Sequence, residues 1–472
     1  MGTKTALLGG LGAVVVAGVV LAWADQPPAP ASQPADAQKD LLAKADAIAA
    51  KVSATRGLKV VRKIERGVMA KDQIRARILA RVDQEYAPGD LAAEELAMKR
   101  MGMLPADADY KKIVIDLLTD QIAGFYDPWE RRLYIANWNT TGLAMMDDAV
   151  MAHEIDHALQ DQHFNLRTFM TAEAKNADAT SARQALVEGD GMALMLEYVL
   201  TAAQPAGSKM DVAALMWAND AAVRQMKQMA ALNLGSLGNA PLILREGLMF
   251  PYLGGLEFVA HVRKTQPWKG VDAVFKKPPL STEHIMHPAV YDAYERPDVI
   301  SPAGAPPAAL AGWKQTYQNV TGELGLGLFL RQHGVPSSAG GGGIGSTPSA
   351  PGKAELAATG WGGDRLVVFT PPAAPGAAAP KVADCVAVQY TAWDSEADAI
   401  EYFDALADAL PSLSGIKAST RHEQTYLEHT GNGRTFAAER KGDAVVLVVG
   451  APADKALDLR TQVWSGWKLK RN

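Results

Sequence analysis

Cysteine is nearly absent from this chain: Cys385 is the single one in 472 residues, so no internal disulfide can staple the fold. It lies in an apolar, strand-like run, Val382–Tyr390, which reads as a buried structural thiol. An excess of charge of one sign is missing as well. The net charge is -5, no cluster of Lys and Arg stands out, and nucleic acid is not an expected partner. With 48% hydrophobic and 21% charged residues, the composition is that of an ordinary globular protein, long enough for two or three domains and a large core.

The chain opens on an apolar run. Residues 1–24 carry Lys4, continue without charge from Ala6 to Leu21 and end on Ala22-Trp23-Ala24, the small-x-small pattern of a cleaved secretory signal peptide. This predicts export to the periplasm, the cell envelope or the medium. Because about 20 apolar residues can span a bilayer, retention as a membrane tether through residues 6–22 is the alternative. No cysteine lies near the cut, so lipid attachment there is excluded.

The chemistry is concentrated in Met151-Ala152-His153-Glu154-Ile155-Asp156-His157-Ala158-Leu159. Histidines four apart on a helix stand one above the other, so His153 and His157 can turn both imidazoles toward one ion. Zinc suits the pair: neutral imidazole binds it at about 2.0–2.1 Å, and three protein ligands leave a fourth position for water. Glu154, one residue along, reaches that water rather than the metal and is the candidate general base. The local sequence supports a helix: Asp147 and Asp148 offer an N-cap and first-turn negative charge, and no Gly or Pro follows through Leu166. Ile155, Ala158, Leu159 and Gln162 form the opposite, packing face.

Two readings compete for the third ligand. His163, at the eleventh position of HEIDHALQDQH, stands where metzincin proteases carry their third histidine. In that pattern a Gly three residues after the second His lets the chain leave the helix, whereas this chain has Gln160. A helix that continues carries His163 about 80–100° off the metal face. The other reading is a glutamate from a following helix, the gluzincin arrangement, with Glu173, Glu188 and Glu197 as candidates. Glu188 sits beside Gly189 and Gly191 in an otherwise apolar helical segment. Each glycine costs about 1 kcal/mol there unless another backbone must come close, and packing on the HEIDH helix is the expected reason.

The runs HEIDHALQDQHF (153–164), ALVEGD (185–190) and STEHIMHP (281–288) resemble an uncharacterised group of bacterial exported zinc-metallopeptidase-like proteins of gluzincin type. Gly124-Phe125-Tyr126-Asp127-Pro128, Phe250-Pro251-Tyr252 and Gly360-Trp361-Gly362-Gly363-Asp364-Arg365 extend the resemblance over most of the chain after about residue 100. His284 departs from it, since the group has Gln there. The resemblance implies Glu188 as the third ligand, and it covers His287 and Tyr291, the candidates for donating to the oxyanion that water attack on a carbonyl creates.

Along the chain, residues 25–38 read as a Pro/Ala-rich tether, and 39–335 as the metallopeptidase-like domain. Helical spacing marks Leu41–Val52 and Lys71–Tyr86, and Gln121–Ile135 reads as two strands about a turn at Asp127-Pro128, an edge with which an extended peptide could pair. Residues 183–200 and 209–231 look helical, the latter with a methionine stripe at Met210, Met216, Met226 and Met229. A helix over 241–262 is expected to break at Phe250-Pro251-Tyr252, and 281–291 to be a loop leading into a short helix. Residues 336–353 read as a Gly/Ser/Pro-rich linker or loop, and 354–472 as a separate α+β unit with strands at 365–370, 382–390 and 444–450 and a helix at 395–410. The expected fold class is α+β, predominantly helical, with a thermolysin-like core and a small sheet. The expected function is an exported metallopeptidase with one Zn2+ per chain, a peptide or protein substrate, His153, His157 and Glu188 on the metal, and Glu154, His287 and Tyr291 in catalysis. No GxMEN-like stretch is present to hold a free amino terminus, so endopeptidase action is favoured over aminopeptidase action. A zinc hydrolase of a non-protein amide such as cell-wall peptide, and a metal-stabilised envelope binding protein without turnover, are the rivals.

Overall fold

A computed structural model describes residues 16–19, 35–137, 144–204, 210–225, 235–337, 351–372, 380–417 and 420–472. The rest of the predicted signal, most of the tether, Met226, Met229 and the centre of the predicted linker lie outside the described residues. The protein is α+β and predominantly helical with small sheets, as expected. No helix among the described residues is long and apolar enough to cross a membrane.

The first sheet has the strand order β1-β3-β4-β2, built from β1 (Val16–Val19), β2 (Glu65–Met69), β3 (Ile122–Asp127) and β4 (Arg132–Ala136). β3 and β4 form the expected antiparallel hairpin, while β2 joins β4 in parallel. Alternation of side chains across β3 sends Phe125 into one apolar core and Tyr126 into another. The second core holds the helices that matter for the site: α1 (Ala35–Arg56), α2 (Ala144–Phe164), α3 (Ala177–Ala202) and α4 (Leu242–Thr265). α2 starts earlier than its aspartates suggest, so Asp147 lies in the first turn rather than at the cap. α4 corrects the sequence reading: it runs straight through Phe250-Pro251-Tyr252. Proline's fixed φ suits a helix, and Pro251 and Tyr252 are both buried in it.

Helices α3 and α4 cross on glycines. A Cβ on Gly255 would stand 2.0 Å from the Ala185 carbonyl oxygen, and one on Gly189 would stand 2.2 Å from the Gly255 backbone. The two backbones therefore touch, and the partner of Gly189 is α4 rather than the HEIDH helix. Gly191 does meet the expected neighbour, with a Cβ position 2.7 Å from His153 Cε1. Gly255→Ala is expected to destabilise the protein by about 3 kcal/mol or more, because backbone cannot move aside as a flexible side chain can. Denaturant unfolding of that variant beside Gly254→Ala, whose Cβ would meet the Phe250 ring first, checks it.

The seven-stranded antiparallel sheet runs β6-β7-β8-β12-β11-β10-β9, from β6 (Lys314–Asn319), β7 (Trp361–Thr370), β8 (Val386–Trp393), β9 (Arg421–Glu423), β10 (Tyr426–Gly431), β11 (Arg434–Lys441) and β12 (Ala444–Pro452). A short pair, β5 (Val299–Ser301) with β13 (Lys468–Lys470), ties the C-terminus back to the chain before the linker. The boundary expected at 336–353 consequently divides no structural units. β6 precedes that stretch and pairs with β7 after it, and one apolar cluster continues from Ile74 and Val114 through Leu326 to Tyr402 and Val449.

Candidate metal centre

The HEIDH segment lies in the middle of α2 and Glu188 in the middle of α3, both fully covered. His153 Nε2 is 2.9 Å from His157 Nε2 and 3.2 Å from Glu188 Oε2, and His157 Nε2 is 3.4 Å from the same oxygen. Four ligands arranged tetrahedrally at about 2.0–2.1 Å from an ion stand roughly 3.3–3.4 Å apart, so these separations fit a shared small cation. The donor set fits as well. Two imidazoles 2.9 Å apart share at most one proton between them, while the Glu188 Oε1 and His153 Nδ1 atoms are buried without a hydrogen-bond partner among the described residues. Burial pushes the Glu188 carboxyl up, but the His157 and His153 rings outweigh it and hold the group below the usual carboxylate range.

His157 is oriented by a network that sequence reading missed. Its Nδ1 faces Gln160 Oε1 at 2.9 Å, one helical turn along α2. Gln160 Nε2 in turn donates to Asp190 Oδ2, Asp156 Oδ2 and the Val187 carbonyl. Arg56, at the end of α1, grips both oxygens of Asp190 at 2.8 and 3.0 Å and reaches Asp272 at 2.7 Å, its guanidinium stacked over Trp268. Arg56, Asp156, Gln160 and Asp190 are each 0% exposed, while the Asp272 side chain is 25% exposed. Burial, then the Asp190 carboxylate, pushes the Asp156 carboxyl well up, and Arg56 opposes that rise. The residue that departs from the metzincin pattern is thus the one that holds the second histidine. The signal was present in the sequence: Gln160 stands three residues after His157, on the same helical face.

Glu154 is 1% exposed and adjoins β3, where its Oε2 accepts the Tyr126 backbone N–H at 2.9 Å. A Cβ on Gly124 would lie 3.5 Å from Glu154 Cγ, so β3 passes in contact with this side chain. Tyr252 of α4 also faces the pair, its ring stacked on His153 with centroids 6.4 Å apart.

The remaining candidates go elsewhere. His163 is exposed and its Nε2 meets the Lys59 carbonyl. Glu173 pairs with Arg183 at the surface, and Glu197 takes donors from Trp217, Trp268 and Arg263. His287, between the short helices Thr282–Met286 and Pro288–Ala293, directs Nε2 to Glu323 at 2.7 Å, and the Tyr291 hydroxyl donates to the Lys277 carbonyl. Both polar ends expected to serve an oxyanion therefore have other partners. The Glu323 carboxylate holds His287 above its usual pKa, against burial. Where Glu323, itself pushed up by burial, is ionised, that ion pair stabilises the fold below about pH 6.5 and is lost as pH rises through the elevated value of His287. Between pH 6 and 9 the melting temperature of wild type is expected to fall further than that of His287→Gln, and parallel falls would refute the pairing.

Residues 310–460 match a family described as a domain of unknown function, DUF8575. No curated protein and no solved structure matches the chain. The matched stretch begins before β6 and takes in strands β6 to β12, whereas His153, Glu154, His157 and Glu188 lie outside it.

Proposed function

We propose that this protein is an exported zinc metallopeptidase that cleaves peptide bonds within chains. One observation carries the reading: Glu154, next to His153 on α2 and supplying none of the three converging ligand atoms of His153, His157 and Glu188, is held against the neighbouring strand. A purely structural zinc site closes its fourth position with another ligand and has no use for such an acid. When bound, zinc supplies Lewis acidity toward a carbonyl oxygen and toward water. His153, His157 and Glu188 hold the ion, with Gln160 fixing the His157 ring. Glu154 takes the proton of the attacking water at the carboxylate that Tyr126 N–H steadies and returns it to the leaving amine. Packing by β3, α3 and α4 keeps bulk water from the acid and the imidazoles. The apolar run from Ala6 to Leu21, ending in Ala22-Trp23-Ala24, supports export.

Elemental analysis of the purified protein together with a broad peptide-library digest tests this. About one zinc per chain is expected, absent from Glu188→Ala and retained by His163→Ala, whose ring lies on the Lys59 carbonyl. Zinc retained in the first variant and lost in the second would overturn the ligand set. Zinc without cleavage of any peptide would leave a metal-stabilised binding protein or a hydrolase of another amide.

A further inference from the structure

A cavity of about 100 Å³ lies apart from the metal centre, where the helical body meets the seven-stranded sheet. None of His153, Glu154, His157 and Glu188 lines it. Met98, Met101, Met103, Ile243 and Leu328 make its wall apolar. Ser181, Gly247 and Gly325 also border it and are half-buried, so small residues stand where it meets solvent. Tyr317 of β6 and Leu366 of β7 belong to the family-matched stretch, whereas the methionines precede it, so the cavity exists only where the two parts of the chain pack together.

Two acids interrupt this wall. Asp178, in the first turn of α3 and 2% exposed, takes its hydrogen bonds from the Thr282 N–H and hydroxyl, and no Arg, Lys or His pairs with it among the described residues. Burial pushes its carboxyl up to about 7 against those two donors, and the Asp364 and Glu323 charges push the same way. Glu94, 1% exposed, accepts the Tyr110 hydroxyl at 3.1 Å. Burial and then the Glu94 charge push the Tyr86, Tyr110 and Tyr317 hydroxyls up. A void in the core and an uncompensated buried charge each cost stability. One kind of occupant relieves both, a cation on an apolar stem. Since an apolar cavity of about 150 Å³ admits benzene, one of about 100 Å³ takes a chain of about four or five heavy atoms.

We propose that this cavity binds a short primary alkylammonium, its stem among Met98, Met101 and Leu328 and its ammonium on Asp178. The site does not depend on the peptidase reading.

The test titrates the full chain with n-butylammonium, n-butanol and butyrate at about pH 8, above the Asp178 value and below the alkylamine range. Methyl-labelled methionines report the binding by NMR. Butylammonium is expected to shift the Met98, Met101 and Met103 methyls saturably and to bind about tenfold or more tighter than butanol, the margin of a charge-assisted hydrogen bond over a neutral one. Butyrate should not bind. Asp178→Asn keeps an oxygen for the Thr282 donors, and its butylammonium affinity should fall to the level of butanol while butanol binding stays within about twofold. Ala97→Met, reaching into the void from the helix Asp90–Arg100, should weaken both ligands about tenfold or more and keep the fold. Neither variant should lose zinc, because neither residue supplies a ligand atom. No saturable binding, equal affinity for butanol and butylammonium in wild type, or wild-type binding of butylammonium by either variant overturns the proposal. Should Asp178→Asn fail to fold, the preference of wild type for the ammonium and its displacement by Ala97→Met decide the matter.

Discussion

Glu154→Gln is expected to keep its zinc and its fold while peptide hydrolysis falls by about 10²–10⁴-fold, the usual contribution of a positioned general base. The amide has the size of the carboxylate, and its oxygen can still accept the Tyr126 N–H. What it cannot do is take a proton from water. Since none of the three ligand atoms belongs to residue 154, metal content should stay near one per chain, which separates loss of chemistry from loss of the site. Cleavage and metal content are measured on the same preparation. A Glu154→Gln protein that cleaves as fast as wild type would remove the base from the mechanism.

The second large effect is expected far upstream. Arg56→Met should destabilise the protein by about 3–5 kcal/mol, because it leaves Asp190 and Asp156 buried without the guanidinium that faces them. It should also weaken zinc binding by about 10–100-fold, the range typical when a partner of a metal ligand is lost. The route is geometric: without Arg56 the Asp190 carboxylate loses its two-point grip, and the Gln160 amide it receives, whose oxygen faces His157 Nδ1, is held less firmly. Arg56→Lys should lie between the two, since an ammonium keeps the charge but cannot grip both Asp190 oxygens at once. Denaturant unfolding and competition with a zinc chelator give the two quantities. Wild-type zinc affinity in Arg56→Met would show that the network packs the core and does not orient the ligand.

These two predictions differ in how visible their residues were beforehand. His153, Glu154 and His157 are local in sequence, so helical geometry alone puts them together. Glu188 came from resemblance, supported by two glycines that needed a reason; the reason was right in kind, yet Gly189 meets α4 where the HEIDH helix was expected. Arg56 could not be found that way, because nothing near residue 56 announces a partner 134 positions away. The same limit explains the misplaced domain boundary. A Gly/Ser-rich stretch looks like a linker locally, and only the pairing of β6 with β7 reveals that the sheet closes across it. The β10–β11 hairpin was legible and was missed: Asn432-Gly433, at φ 53° and 72°, is the turn dipeptide that favours such hairpins. His287 and Tyr291 came from the resemblance, and their polar ends meet Glu323 and the Lys277 carbonyl.

The glycine crossing of α3 on α4 bears on which ion the site accepts. Glu188 is the residue before Gly189, so its backbone is fixed where two helices are already in contact, and it cannot retreat without driving Gly189 into Gly255. On the other side, Gly191 brings α3 against the His153 ring. Backbone contact with α4 and the close approach of Gly191 to His153 therefore limit how far Glu188 can move from the two histidines. Calcium, which needs six to eight oxygen ligands at 2.3–2.6 Å, would have to push that cage apart. On the proposed reading, preference for a small, nitrogen-seeking ion would rest in part on two glycines that supply none of the ligand atoms.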